Sequence, residues 1–91
     1  MVGSPKPTMY YVYLLETNHH LQRYYIGSTP DLKKRITEHS EGKSKYTKSR
    51  LPVKLIYFEC YPNKTLALER ETKLKTGSSA IAALLKRLHL K

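Results

Sequence analysis

The sequence predicts a small α+β domain in which helices flank a three-stranded antiparallel sheet. Short segments rich in tyrosine and β-branched residues indicate strands, and apolar residues at helical spacing indicate helices. Glycine and proline separate these segments. The predicted order is strand, strand, helix, strand, helix, helix, which favours a sheet with helices packed against it.

The three predicted strands are short and aromatic. The first covers residues 10–15 and the second covers residues 23–28. Because only a short polar segment separates them, we expect an antiparallel hairpin. The third strand covers residues 54–61 and lies between Pro52 and Pro62, two residues that suit strand ends.

The helices are bounded by capping and breaking residues. The first begins after Pro30, where Asp31 suits the positive end of the helix dipole, and it ends before Gly42. The second begins near Asn63 and ends before Gly77. The third covers most of the remaining chain and presents one apolar face, which indicates a role in the core.

The length and charge bound the function classes. With 91 residues the chain allows one domain, which we predict over residues 9–91 after a flexible lead-in at residues 1–8. The chain has 17 Lys and Arg residues against 7 Asp and Glu residues, a formal net charge of +10. This excess predicts a polyanionic partner, most directly nucleic acid, with an acidic membrane surface as the weaker alternative.

Cysteine usage and hydropathy indicate the compartment. The single Cys60 excludes an intramolecular disulfide and a paired-cysteine zinc site, and we expect it to be buried in its strand. No apolar run approaches the ~20 residues of a membrane helix, and no charged-then-apolar leader opens the sequence. We therefore expect a cytoplasmic protein with no membrane partner.

Two polar side chains lie on the inward face of the first predicted helix. Leu32, Arg35, Ile36 and His39 fall at i, i+3, i+4 and i+7, so they share one face. An arginine and a histidine toward the sheet are candidates for chemistry. The alternative is structural: Arg35 extends to the edge and His39 is a satisfied boundary residue.

A carboxylate lies on the inward face of the second helix. Glu71 shares a face with Ala67 and Leu74, whereas Glu69 points elsewhere, toward solvent. A carboxylate at a sheet-facing edge needs a basic partner or a metal ion. The alternative without chemistry is an ion pair between Glu71 and Arg35.

Taken together, the motifs resemble the GIY-YIG nuclease superfamily, in particular its small stand-alone bacterial branch, which is largely uncharacterised. The resemblance covers about residues 9–76. The segments that carry it are YVY at 11–13, YIG at 25–27, STPDLKKR at 28–35 followed by His39, YT at 46–47, LPVKL at 51–55 and ALERE at 67–71.

The resemblance implies an endonuclease that hydrolyses phosphodiester bonds in DNA, in branched or damaged structures, with one divalent ion, Mg²⁺ or Mn²⁺. It places catalytic roles on Tyr13, Tyr25, Arg35 and His39 and the metal on Glu71, and it implies 5′-phosphate and 3′-hydroxyl products. It favours Tyr13 as the general base, with His39 as the open alternative. It also implies the three-stranded antiparallel sheet flanked by helices that the element order predicts.

A basic loop follows the first helix. We expect its residues to contact the nucleic-acid backbone without reading sequence, and its tyrosine to stack on an unpaired base. DNA is the expected partner and RNA the alternative. The loop residues concerned are Lys43, Lys45, Tyr46, Lys48 and Arg50.

Two other function classes compete with a nuclease. One is a non-catalytic nucleic-acid-binding module of the same fold, which would be expected to lose Arg35 or Glu71. The other is a basic protein that docks on RNA or a ribosome, which needs no inward carboxylate. One departure from the family pattern is Tyr11, which stands where the first motif has a glycine and could narrow the substrate groove beside Tyr13.

Overall fold

The computed structural model describes residues 9–18, 23–43 and 51–90, apart from the side chain of Ser78. The predicted order of elements is confirmed, and each predicted strand agrees with the observed one to within one residue. The predicted lead-in at residues 1–8 lies outside the described residues. The elements in chain order are β1 (Tyr10–Glu16), β2 (Tyr24–Thr29), α1 (Leu32–Ser40), β3 (Lys54–Tyr61), α2 (Lys64–Thr76) and α3 (Ser78–Arg87).

The strands form an antiparallel sheet in the order β2-β1-β3, so β1 is central. The predicted hairpin and α+β class are confirmed. Tyr13 of β1 lies opposite Gly27 of β2 and Phe58 of β3. Because side chains alternate along a strand, Val12 and Leu14 face one side of the sheet, whereas Tyr13 and Leu15 face the other.

The main core lies between the sheet and the two C-terminal helices. Val12 and Leu14 of β1 are each 1% exposed, and burial of an aliphatic side chain of this size contributes about 1.5–3 kcal/mol. They pack in one cluster with Ala67, Leu74 and Leu84, which confirms the inward faces predicted for α2 and α3.

Side-chain caps fix the starts of α1 and α2. Asp31 accepts a hydrogen bond from the Lys34 backbone N–H at 3.1 Å, and Asn63 accepts one from the Leu66 N–H at 2.9 Å. Beyond α1, Gly42 has a φ of 77°, a left-handed conformation that favours glycine. The predicted starts and the predicted stop are therefore confirmed.

A hydrogen-bonded carboxylate fastens β3 to α2. Glu59 receives two 2.9 Å bonds from Arg70, one to each carboxylate oxygen, together with hydrogen bonds from the Tyr57 and Tyr61 hydroxyls. Burial alone would raise the pKa of Glu59, but the bonds from Arg70 and the two tyrosines lower it. This network explains why an arginine occupies the inward face of α2.

The prediction that Cys60 is buried is wrong. Cys60 is exposed, because β3 is an edge strand and this residue lies opposite Tyr11 on the sheet face away from the main core. As for membrane insertion, the described helices include none with the length and apolar character needed to cross a bilayer.

Candidate active site

Three of the predicted catalytic residues form one aromatic cluster, Tyr13, Tyr25 and His39. The Tyr13 hydroxyl lies 3.0 Å from His39 Nε2, and the two residues are 1% and 0% exposed. The Tyr25 ring packs against both, with centroids 5.2 Å from His39 and 6.4 Å from Tyr13. The two strands of the hairpin supply the tyrosines, and the last turn of α1 supplies the histidine.

The aromatic cluster requires a glycine beneath it. A Cβ built on Gly27 would lie 2.4 Å from the Tyr13 hydroxyl oxygen and 2.6 Å from its Cζ atom. The φ of Gly27 is not in the left-handed region, so backbone conformation does not require glycine here. Gly27 is instead needed because the Tyr13 side chain crosses over it.

The buried tyrosine and histidine are both neutral near pH 7. Burial raises the pKa of Tyr13 to about 12, although the nearby Arg35 partly offsets this effect. Burial, together with the positive charge of Arg35, lowers the pKa of His39 to about 4. A neutral imidazole has one donor and one acceptor nitrogen, so the tautomer of His39 sets the direction of its hydrogen bond with the Tyr13 hydroxyl.

Arg35 links the aromatic cluster to the solvent. Its side chain is 33% exposed, its guanidinium donates to Glu38 at 3.0 Å, and it lies close enough to Tyr13 to counteract the rise in the pKa of that hydroxyl. Burial would lower the pKa of Arg35, but these two partners raise it, so the charge is retained. The predicted inward position of Arg35 is confirmed, and Glu38 lies partly buried beside it.

Glu71 lies on the inward face of α2, as predicted from the helix spacing, and Glu69 is exposed. The Glu71 side chain is 17% exposed; one carboxylate oxygen accepts from Ser28 Oγ at 2.6 Å, and the other pairs with Lys75 Nζ at 2.7 Å. The alternative ion pair between Glu71 and Arg35 is therefore wrong. Glu71 pairs with Lys75, four residues later on α2, and Arg35 pairs with Glu38, three residues later on α1.

The donors around Glu71 fit a hard, water-rich cation. Within residues 9–18, 23–43 and 51–90, no group of three or more His, Cys, Asp or Glu side chains could hold a metal. A zinc-type cage is thus absent from that part of the chain. Mg²⁺, by contrast, is commonly bound through one or two carboxylates, with water and substrate phosphates completing the octahedron. Glu71 is a carboxylate of this kind, and the Ser28 hydroxyl donates to it.

Sequence reasoning missed two partners of Glu71. Ser28 follows Gly27 in β2, so strand alternation turns it toward α2, and this could have been noticed. Lys75 follows Glu71 by four residues, the spacing at which a glutamate and a later lysine pair on a helix. Gly27 belongs to the YIG motif, but its contact with Tyr13 depends on the register between β1 and β2.

The predicted backbone-binding loop is described only at its start. Lys43 is exposed and pairs with Glu41 at 3.1 Å. The other predicted nucleic-acid contacts lie outside the described residues; they are Lys45, Tyr46, Lys48 and Arg50.

Tyr11, at the position of the motif glycine, packs away from the aromatic cluster. Its ring meets Phe58 edge-to-face with centroids 6.0 Å apart. It lines a surface groove with Leu32 and Ile36, between α1 and β3. Since Tyr13 instead leans over Gly27 of β2, the bulk of Tyr11 lies on the β3 side of the sheet.

Two UPF0213 proteins are similar to this chain in sequence over most of its length. A UPF0213 protein of Haloquadratum walsbyi is 40% identical over 68 residues, which are 74% of each chain. A UPF0213 protein of Streptococcus pyogenes is 43% identical over 76 residues, with 79% of this chain and 80% of the relative covered.

A solved structure and a family model extend the likeness. The solution NMR structure of a UPF0213 protein from Bacillus halodurans matches with a TM-score of 0.54 and 34% identity, covering 89% of this chain and 85% of that one. The model of the GIY-YIG catalytic domain matches residues 9–83, a range that contains the aromatic cluster, Arg35 and Glu71. The chain therefore belongs to the GIY-YIG family of nuclease domains and has UPF0213 proteins as its relatives.

Proposed function

We propose that the protein is a divalent-ion-dependent endonuclease that hydrolyses phosphodiester bonds in DNA and leaves 5′-phosphate and 3′-hydroxyl ends. The observation that carries the proposal is the 3.0 Å hydrogen bond between buried Tyr13 and His39, with Arg35 and Glu71 near enough to act on the pKa of Tyr13. The groups that would serve as proton acceptor, phosphate-binding cation and metal-binding carboxylate therefore lie in one region of the molecule. Branched or damaged DNA is the proposed substrate class, from the family resemblance.

Tyr13 and His39 act together as the proton acceptor. With a pKa of about 12, only about one Tyr13 in 10⁵ is ionised at pH 7, so a free tyrosinate is too rare to serve as the base. His39, with a pKa of about 4, is available as a neutral acceptor. The Tyr13 oxygen takes a proton from the attacking water while its own proton passes to His39 Nε2.

Arg35 binds the phosphate and gives access to Tyr13. The Tyr13 hydroxyl is closed to solvent, because the residue is 1% exposed and Arg35 lies against it. A phosphate draws the guanidinium outward, since a charged oxygen is a stronger acceptor than a phenol. The guanidinium then stabilises charge on the phosphoryl oxygens, an effect typically worth roughly 10²–10³ in rate.

Glu71 would hold the ion, with the Ser28 hydroxyl orienting its carboxylate. Such an ion would supply Lewis-acid stabilisation of the negative charge that develops as the phosphodiester bond is hydrolysed. The Glu71 side chain is 17% exposed, so water ligands and a phosphate would approach the ion from that exposed side.

The test compares Glu71→Gln with Glu69→Gln, a matched change two residues away on the exposed face of α2. Cleavage of branched, flapped and linear DNA is measured with Mg²⁺ or Mn²⁺, and circular dichroism checks folding. We expect Glu71→Gln to lose at least about 10²-fold in rate, and Glu69→Gln to stay within about twofold. The opposite ranking would contradict the metal assignment.

A non-catalytic nucleic-acid-binding module is the second candidate. It is favoured by the closed arrangement, in which Tyr13 is 1% exposed and Glu71 is paired with Lys75. Such a module would bind the same DNA panel without cutting any of it, and Glu71→Gln would leave its affinity equal or tighter.

A further inference from the structure

We propose that Ser28 and Lys75 set the metal affinity of Glu71 in opposite directions. Ser28 is a fixed donor that holds the carboxylate in place, and Lys75 is an exchangeable cation that a divalent ion must displace. This inference rests on the proposed function, because it concerns the same carboxylate. It goes beyond it by giving two further residues defined positioning roles.

The fixed donor belongs to the sheet. Ser28 is paired with Val12 in the antiparallel ladder, and its half-buried hydroxyl donates to Glu71 Oε1 at 2.6 Å. A serine side chain has one rotatable torsion to its oxygen, so the strand backbone largely fixes the donor. The bond restricts the carboxylate to one orientation before an ion arrives, which is how outer partners of metal ligands raise affinity.

The exchangeable cation belongs to the helix surface. Lys75 Nζ lies 2.7 Å from Glu71 Oε2, but 47% of the lysine side chain is exposed. A lysine this exposed contributes little to stability through such a pair, because its ammonium is well hydrated and its four-carbon stem is flexible. The pair can therefore open at little cost while the hydrogen bond from Ser28 stays closed.

An ion and the Lys75 ammonium compete for the same oxygen. The ammonium occupies the outward side of the carboxylate, and an ion at a carboxylate oxygen would lie within a few ångströms of it. At such distances like charges repel even in water. Lys75 thus neutralises Glu71 beside the aromatic cluster while no ion is bound, and it moves away when one binds.

The test is a titration of the isolated protein with Mn²⁺, read by the electron paramagnetic resonance signal of the free ion, without nucleic acid. We expect Ser28→Ala to weaken binding about 10-fold or more, and Ser28→Thr, which keeps the hydroxyl, to restore most of it. We expect Lys75→Met to tighten binding about three- to tenfold. Lys73→Met removes the same charge from an exposed site on α2 and should change binding less than about twofold.

The outcomes separate the two proposals. An unchanged or weakened Mn²⁺ affinity in Lys75→Met, or a gain no larger than that of Lys73→Met, would overturn the inference. Tighter binding by Ser28→Ala would also overturn it. If the wild-type protein cuts DNA but the Ser28 and Lys75 substitutions leave the Mn²⁺ affinity unchanged, only this inference fails. If it neither binds Mn²⁺ nor cuts, the metal-dependent nuclease fails with it.

Discussion

The contact between Gly27 and Tyr13 makes one prediction that ties stability to the proposed chemistry. In Gly27→Ala the new methyl carbon would meet the Tyr13 hydroxyl oxygen at 2.4 Å, whereas ordinary contacts begin at 3.4 Å. The Tyr13 ring must therefore move by about 1 Å. It is 1% exposed, so the surrounding side chains must move with it or its hydrogen bond to His39 must break.

The expected loss in the free energy of unfolding combines the overpacking around Tyr13 with the loss of its hydrogen bond. Overpacking a well-filled site typically costs 1–3 kcal/mol, and a lost hydrogen bond adds about 1 kcal/mol. The reduced entropy of the unfolded chain returns about 0.4–1 kcal/mol when glycine becomes alanine. We expect Gly27→Ala to lower the free energy of unfolding by about 2–3 kcal/mol, and to slow cleavage about 10²-fold through the displaced Tyr13 hydroxyl.

Urea unfolding of a double-mutant cycle isolates the contact. Tyr13→Leu removes the three Tyr13 atoms nearest to the Gly27 position, so adding Gly27→Ala in that background should cost less than about 0.5 kcal/mol. If Gly27→Ala leaves the free energy of unfolding of the otherwise wild-type protein unchanged, the reasoning is refuted. An equal cost in both backgrounds would also refute it, because the cost would then come from the backbone.

Two other predictions concern charge. Because the pKa of His39 is lowered from 6.5 to about 4 in the folded state, the unfolded chain takes up this proton first as the pH falls. The free energy of unfolding should therefore drop by about 3 kcal/mol between pH 6.5 and 4, and urea unfolding of His39→Gln should show most of that drop removed. Neutralising Lys43, Lys45 and Lys48 together should reduce the slope of log K for DNA against log salt by about two to three units, as measured by fluorescence anisotropy. An unchanged slope would place this loop away from the DNA.

Helix faces were predictable because they depend on local geometry alone. The spacing of residues around His39 and Glu71 fixes the direction of each side chain relative to its helix neighbours, and the structure confirms both as inward. Strand positions were also predictable, since aromatic and β-branched runs between turn residues leave few alternatives. The hairpin leaves either β1 or β2 as the centre of the sheet, and the pairing of β3 with β1 is seen only in the structure.

The pairing of charges was not predictable from the same geometry. The faces of α1 and α2 allowed Arg35 to meet Glu71, but the sheet holds the two helices so that each charge finds a partner within its own helix. The exposure of Cys60 likewise depends on which strand becomes an edge, and strand propensity carries no such information. These features are set by packing between elements.

The neutral groups of the candidate site are buried and its charged groups lie at the rim, which suits a domain with a small core. Tyr13 and His39 are 1% and 0% exposed, and both are uncharged near neutral pH, so their burial avoids the cost of an isolated buried ion. The charges of Arg35 and Lys75 lie at the rim, with side chains 33% and 47% exposed. In the proposed reaction a phosphate would therefore meet full charges only where water also reaches. In the proposed reaction Tyr13 would stay neutral, because it would give its proton to His39 as it takes one from water, and the positive charge would appear on the buried imidazole.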